Sequence, residues 1–115
     1  MDLKVVSGSA NPAFAAALGA ELSKLMGEPV LVPIIATSFN DGEKCAQFPD
    51  NIRRGDVFIV QPTNQPDGNL MELLVMLDAA KRASAGDITA VMPYYGYGRQ
   101  DRKVKPRVPI TARLI

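Results

Sequence analysis

The chain contains no histidine and only one cysteine, Cys45, in 115 residues. The lack of imidazole excludes histidine general bases, Ser/His triads and histidine metal ligation within these residues. A lone cysteine cannot close an internal disulfide, which fits a reducing compartment. No apolar run reaches the roughly 18 residues that span a bilayer, and the N-terminus lacks the basic-then-apolar order of a signal peptide. The sequence therefore reads as a soluble, cytoplasmic protein with no membrane partner. A charge excess is missing too, since 13 Lys and Arg face 12 Asp and Glu for a net of +1. That balance speaks against a nucleic-acid coat or a membrane-surface protein, both of which carry broad positive charge. There is no internal repeat, low-complexity tract or dividing linker, and 47% hydrophobic residues supply the core of one globular domain.

The charge that is present is concentrated. Arg99, Arg102, Lys103, Lys105 and Arg107 stand against the single acid Asp101, a local charge of +4 in a chain of +1. Just before them lie Tyr94, Tyr95, Gly96, Tyr97 and Gly98, straight after an apolar strand. Positive charge gathered where a strand ends suits a polyanion, most simply phosphate groups.

Hydrophobic patterning gives the frame. Leu3 to Val6 forms a first strand, closed by Ser7-Gly8-Ser9. Asn11 caps a helix with Pro12 at its first position, where the missing N–H costs nothing. Phe14, Leu18, Leu22 and Leu25, with Ala17, define its apolar face, and Gly27 ends it. Val30 to Ile35 forms a second strand that Pro33 marks as an edge or a break. Ser38 to Glu43 is a polar turn, and Asp56 to Gln61 a strand buried on both faces. A helix over Asn69 to Ser84 is apolar nearly all round, which asks for cover from another subunit; Glu72 is read as its solvated side. Ile88 to Met92 is a further strand, and Pro109 opens a helix that stops after about two turns, short of the average of 11 or 12 residues. The chain reads as the front part of a longer protein. The alternation gives an α/β domain with a mainly parallel sheet flanked by helices. Ligands bind such sheets where loops leave the strands' carboxyl ends: Ser7 to Asn11, Gln61 to Asn69, and Pro93 to Lys105.

Five blocks in one order carry a resemblance: Ser7 to Pro12, Phe39 to Glu43, Asn69 to Leu74, Arg82 to Ala85, and Tyr97 to Lys103. Together they resemble the amino-terminal domain of ribose-phosphate diphosphokinase, also called phosphoribosyl pyrophosphate synthetase. The resemblance implies a phosphoribosyltransferase-like fold, one of two such domains. It implies transfer of the terminal diphosphate of ATP, with Mg²⁺, onto the anomeric hydroxyl of ribose 5-phosphate. It implies nucleotide-binding roles for Phe39, Asp41, Glu43, Arg99, Gln100 and Asp101, with Lys103 and Arg107 as secondary phosphate-binding candidates. Phe39 would stack on the purine while Asp41 and Glu43 accept from its exocyclic amine. The turn holding Phe39 would serve a neighbouring subunit's site, which makes the protein a homo-oligomer. Catalytic residues are expected beyond Ile115 and no metal ligand is expected in the chain, so the 115 residues alone are expected to be inactive.

Singly, these residues have plainer readings: Phe39 as a packing aromatic, Asp41-Gly42 as a common turn, the 99–107 block as a solvated loop. The joint pattern outweighs them. Ser7-Gly8-Ser9 is no Walker A loop and Gly96-Tyr97-Gly98 no dinucleotide fingerprint. Val104 stands where relatives carry an acid. Two other functions fit parts of the pattern: a non-catalytic synthetase-associated regulatory subunit, and an RNA-binding module using the tyrosines and adjacent cations.

Overall fold

A computed structural model describes residues 2–103 and 105–115; Val104, the departure noted above, lies outside them. Three strands, β1 (Leu3–Ser7), β4 (Asp56–Val60) and β5 (Asp87–Val91), form one all-parallel sheet in the order β1-β4-β5. The register is unbroken, with Val5 opposite Phe58 and Phe58 opposite Thr89. Alternation along β1 sends Val5 and Val6 to opposite faces, and each is fully buried in a different cluster. On one face Val5 and Val60 pack with Ala15, Leu18 and Leu22 of α1 (Pro12–Met26). On the other, Val6, Val57 and Ile59 pack with Leu73, Met76 and Ala80 of α2 (Gly68–Arg82). Each fully buried aliphatic side chain contributes about 1.5–3 kcal/mol. The parallel sheet flanked by helices is thus present.

The predicted caps of α1 form. Asn11 Oδ1 accepts from the Phe14 N–H at 3.1 Å, and the Gly27 N–H donates to the Ser23 carbonyl at 2.9 Å. The buried face matches the predicted one only in part, at Leu18 and Leu22. Phe14 and Leu25 are exposed, Leu25 at 81%, whereas Ala15 and Gly19 are buried beside Leu18 and Leu22. The helix lies so close to the chain at Leu31 that small residues, not large apolar ones, fit beneath it.

The second strand also differs. Only Val30 to Val32 runs beside β1, through bonds Val5 N–H to Val30 O (2.8 Å) and Val32 N–H to Val5 O (2.9 Å). Pro33, with no N–H to donate, ends that pairing. The chain then turns into β2 (Ile35–Ser38), which pairs antiparallel with β3 (Lys44–Gln47) as a separate two-stranded hairpin. Ser38 to Glu43 is its tip. Ala46 and Phe48 seat this hairpin against the α2-side core. A short helix, α3 (Thr111–Leu114), follows Ile110.

Candidate functional site

Because β1, β4 and β5 run in one direction, the loops after them leave the same edge of the sheet, as the sequence requires of a ligand-binding rim. Hydrogen bonds stitch these loops beyond the strands. The Gly8 N–H donates to Val60 O (2.9 Å), Gln61 N–H to Val91 O (3.0 Å) and Thr63 N–H to Tyr94 O (2.9 Å). The Thr63 hydroxyl oxygen in turn accepts from the Gly96 N–H at 2.8 Å. Two glycines are dictated by this closeness. A Cβ on Gly96 would collide with the Thr63 carbonyl, and one on Gly8 with the Gln61 side-chain oxygen.

Beneath the rim lies a buried polar cluster that sequence reasoning missed. Glu72, expected on the solvated side of its helix, is only 4% exposed. Its carboxylate accepts from the Ser9 N–H (2.8 Å), the Ser9 hydroxyl (2.7 and 2.9 Å) and Gln61 Nε2 (2.7 Å). Gln61, fully buried, also donates to Asn69 O (3.2 Å) and accepts from the Ala10 N–H (3.1 Å). Every buried polar side-chain atom among the described residues has a partner. The carboxylate stays inside because three donors replace its water. Gln61, a polar residue ending an apolar strand, was the available signal.

At the loops after β4 and β5 a cleft of about 210 Å³ is lined by Asn64, Gln65, Tyr94, Gly96, Tyr97, Gly98, Arg99 and Gln100. Its two walls are joined: the Tyr97 hydroxyl donates to Asp67 Oδ1 at 2.6 Å, and Gln65 Nε2 to the same oxygen at 2.9 Å. These bonds, Tyr97 first, hold the Asp67 carboxyl below its ordinary 3.8. Arg99 and Gln100 continue into a neighbouring hollow of about 390 Å³ with Asp101, Arg102, Val108 and Pro109. Asp101 meets Arg102 in an exposed pair at 3.7 Å, of little energetic weight. Arg99, Lys103 and Arg107 are exposed, and no ion pair among the described residues engages them. Gln100 is anchored to α3, its Oε1 accepting from the Thr111 hydroxyl at 2.6 Å.

Phe39, Asp41 and Glu43 are held elsewhere, at the tip of the β2–β3 hairpin. Phe39 is 58% exposed. Its N–H donates to Glu43 O (2.8 Å), and the Gly42 N–H to Phe39 O (2.9 Å). Asp41 Oδ1 accepts from the Glu43 N–H at 3.0 Å, shaping the turn. None of the three lines the cleft that Arg99 and Gln100 share. A wider cleft of about 500 Å³, between Ser7–Ser9 and Leu31–Ala36, contains no charged residue and none of the predicted site residues. For a polyanion the smaller, cation-bearing cleft is the better candidate.

Among the described residues no three Cys, Asp or Glu side chains gather as metal ligands, and no helix is long and apolar enough to cross a membrane.

Residues 3–115 match the family described as the N-terminal domain of ribose phosphate pyrophosphokinase. The ribose-phosphate pyrophosphokinase of Helicobacter pylori (strain ATCC 700392 / 26695) is 54% identical over 113 residues, covering 97% of this chain and 34% of that protein. The ribose-phosphate pyrophosphokinase of Chlorobaculum tepidum is also 54% identical, with 98% of this chain and 33% of that protein covered. The chain thus spans about a third of the length of the curated relatives it matches. Among solved structures, the phosphoribosylpyrophosphate synthetase from Mycobacterium smegmatis superposes with a TM-score of 0.86 at 37% identity, over 99% of this chain and 37% of that one.

Proposed function

The chain belongs to the ribose-phosphate pyrophosphokinase family, as its N-terminal domain, and we propose that it forms one wall of a site where diphosphate passes from ATP to ribose 5-phosphate. In that reaction the anomeric hydroxyl oxygen bonds to the β-phosphorus of ATP, the bond from that phosphorus to the oxygen bridging toward the α-phosphate breaks, and AMP leaves. Such a transfer asks for placement and positive charge more than for covalent chemistry. The cleft beside Arg99 offers both. The carrying observation is that Arg99, exposed and free of ion pairs among the described residues, sits at the carboxyl-end rim of a parallel sheet.

In this reading Arg99 and Gln100 bind the triphosphate or ribose, Asp101 sets their geometry, and Lys103 and Arg107 add positive charge. Mg²⁺ travels with ATP, bound through phosphate oxygens, which is how Mg²⁺ is usually held at nucleotide sites. Phe39 stacks on the purine, worth about 1–3 kcal/mol, with Asp41 and Glu43 taking the exocyclic amine. Since that tip does not line the Arg99 cleft of its own copy, we assign it to the site of a neighbouring copy in a homo-oligomer. We assign no complete catalytic centre to these 115 residues and place the protein in the cytoplasm.

Arg99→Ala in the full-length protein should raise KM for ATP about tenfold or more, as loss of a charge-assisted hydrogen bond would, with the thermal midpoint unchanged. An unaltered KM would remove the assignment.

A further inference from the structure

Gln100 carries four polar groups that can face a ligand or the protein: its N–H, its carbonyl, and the two ends of its side-chain amide. Three are already committed. Its N–H donates to Tyr97 O (2.9 Å), its carbonyl accepts from the Ala112 N–H (2.9 Å), and its Oε1 accepts from the Thr111 hydroxyl (2.6 Å). Two of these bonds cross to α3, and a third crosses there as the Tyr95 hydroxyl donates to Ala112 O at 2.7 Å. Among the described residues no hydrogen bond engages Nε2. Gln100 also lines both hollows at the rim, so an amide fixed at one end presents its other end to whatever occupies them.

We propose that Thr111 is a positioning residue that sets the amide of Gln100, so that the side chain offers an N–H donor, not a carbonyl, to the nucleotide. This rests on the function proposed above. Its chemical sense is direct. Phosphate and ribose-ring oxygens accept hydrogen bonds, and phosphate oxygens accept only. An amide turned the other way would set its oxygen against them, and a freely rotating amide would lose part of its binding contribution in being ordered. By holding Oε1 with a hydroxyl donor, Thr111 removes the wrong orientation before the ligand arrives. It touches no ligand itself and acts through Gln100.

The test uses the full-length protein and four variants, Arg99→Ala among them, with steady-state kinetics, calorimetric titration of a non-hydrolysable ATP analogue and a thermal melt for each. Thr111→Val keeps the shape of the side chain and removes the hydroxyl. It should raise KM for ATP and the analogue Kd about fivefold, the worth of one neutral hydrogen bond, while kcat stays within about twofold. Thr111→Ser, which restores the hydroxyl, should return both to near the parent values. Gln100→Glu can still accept from Thr111 but offers an oxygen to the cleft, so it should weaken the analogue more than Thr111→Val does. Should Thr111→Val melt early, the Gln100→Glu and Thr111→Ser results decide alone. A Gln100→Glu protein that binds as the parent does, or a well-folded Thr111→Ser protein whose KM and Kd stay about fivefold raised, overturns the proposal. So does a well-folded Thr111→Val protein with parental KM and Kd, provided Arg99→Ala raises KM. If Arg99→Ala also leaves KM unmoved, the nucleotide site itself has been misplaced.

Discussion

Tyr97 lies in the left-handed region at φ 65°, a conformation that costs a side chain with a Cβ about 1–2 kcal/mol. The hydrogen bond from its hydroxyl to Asp67 offsets part of that cost and ties the loop after β5 to the loop after β4. Asp67 is therefore a reporter. Its carboxyl titrates below 3.8 in the folded protein, so the bond contributes stability at neutral pH, and that contribution fades as pH falls through the depressed value. In a carbon-detected NMR titration Tyr97→Phe should move the Asp67 midpoint up toward 3.8. A midpoint that stays put would mean that Gln65 or other groups, not Tyr97, hold the carboxyl down. At this scale the sequence disclosed the residues that carry charge. Arg99 and its neighbours stand out because cations cluster against a neutral background. Asp67 and Thr111 do not, because a hydroxyl or a turn acid gains meaning only from a partner far along the chain.

The elements were legible where hydrophobic period and burial coincide, as in β1, β4, β5 and the extent of α2. They were illegible where packing inverts the usual rule. The residues of β3, Lys-Cys-Ala-Gln, show no strong apolar alternation and become a strand only by pairing with β2. On α1 the buried stripe is built from Ala15 and Gly19 because the chain passes close beneath. In α2 a carboxylate takes an inner position because Ser9 and Gln61 wait there with donors. Glu72 thus clamps the loop after β1 onto α2. Glu72→Ala should lower the unfolding free energy in urea by about 3 kcal/mol, since donors left without an acceptor each cost about 1–3 kcal/mol. Glu72→Gln, which keeps the shape and one acceptor oxygen, should lose less. Equal midpoints for parent and Glu72→Ala would show the clamp to be idle.

For the whole molecule, the separation of the hairpin tip from the Arg99 cleft makes a prediction about assembly. Phe39→Ala and Arg99→Ala should each impair ATP use in the full-length oligomer. When the two variants are mixed and allowed to exchange subunits, random assortment should give intact pairing at about a quarter of sites, with activity to match. If both residues instead serve the same copy's site, mixing restores nothing. Met71 on α2, part of the surplus apolar surface for which intersubunit cover was expected from the sequence, is exposed, and hydrogen exchange in the full-length protein tests whether assembly buries it. The tip has a further bearing on how such proteins diversify. Because residues 39–43 belong to a two-stranded hairpin outside the three-stranded sheet, and Phe39 and Asp41 contribute to no core cluster, they behave as a cassette. On the function proposed above, an exchange of those side chains would change which heterocycle is preferred, guanine or a pyrimidine in place of adenine, and would leave the cations of the Arg99 cleft as they are.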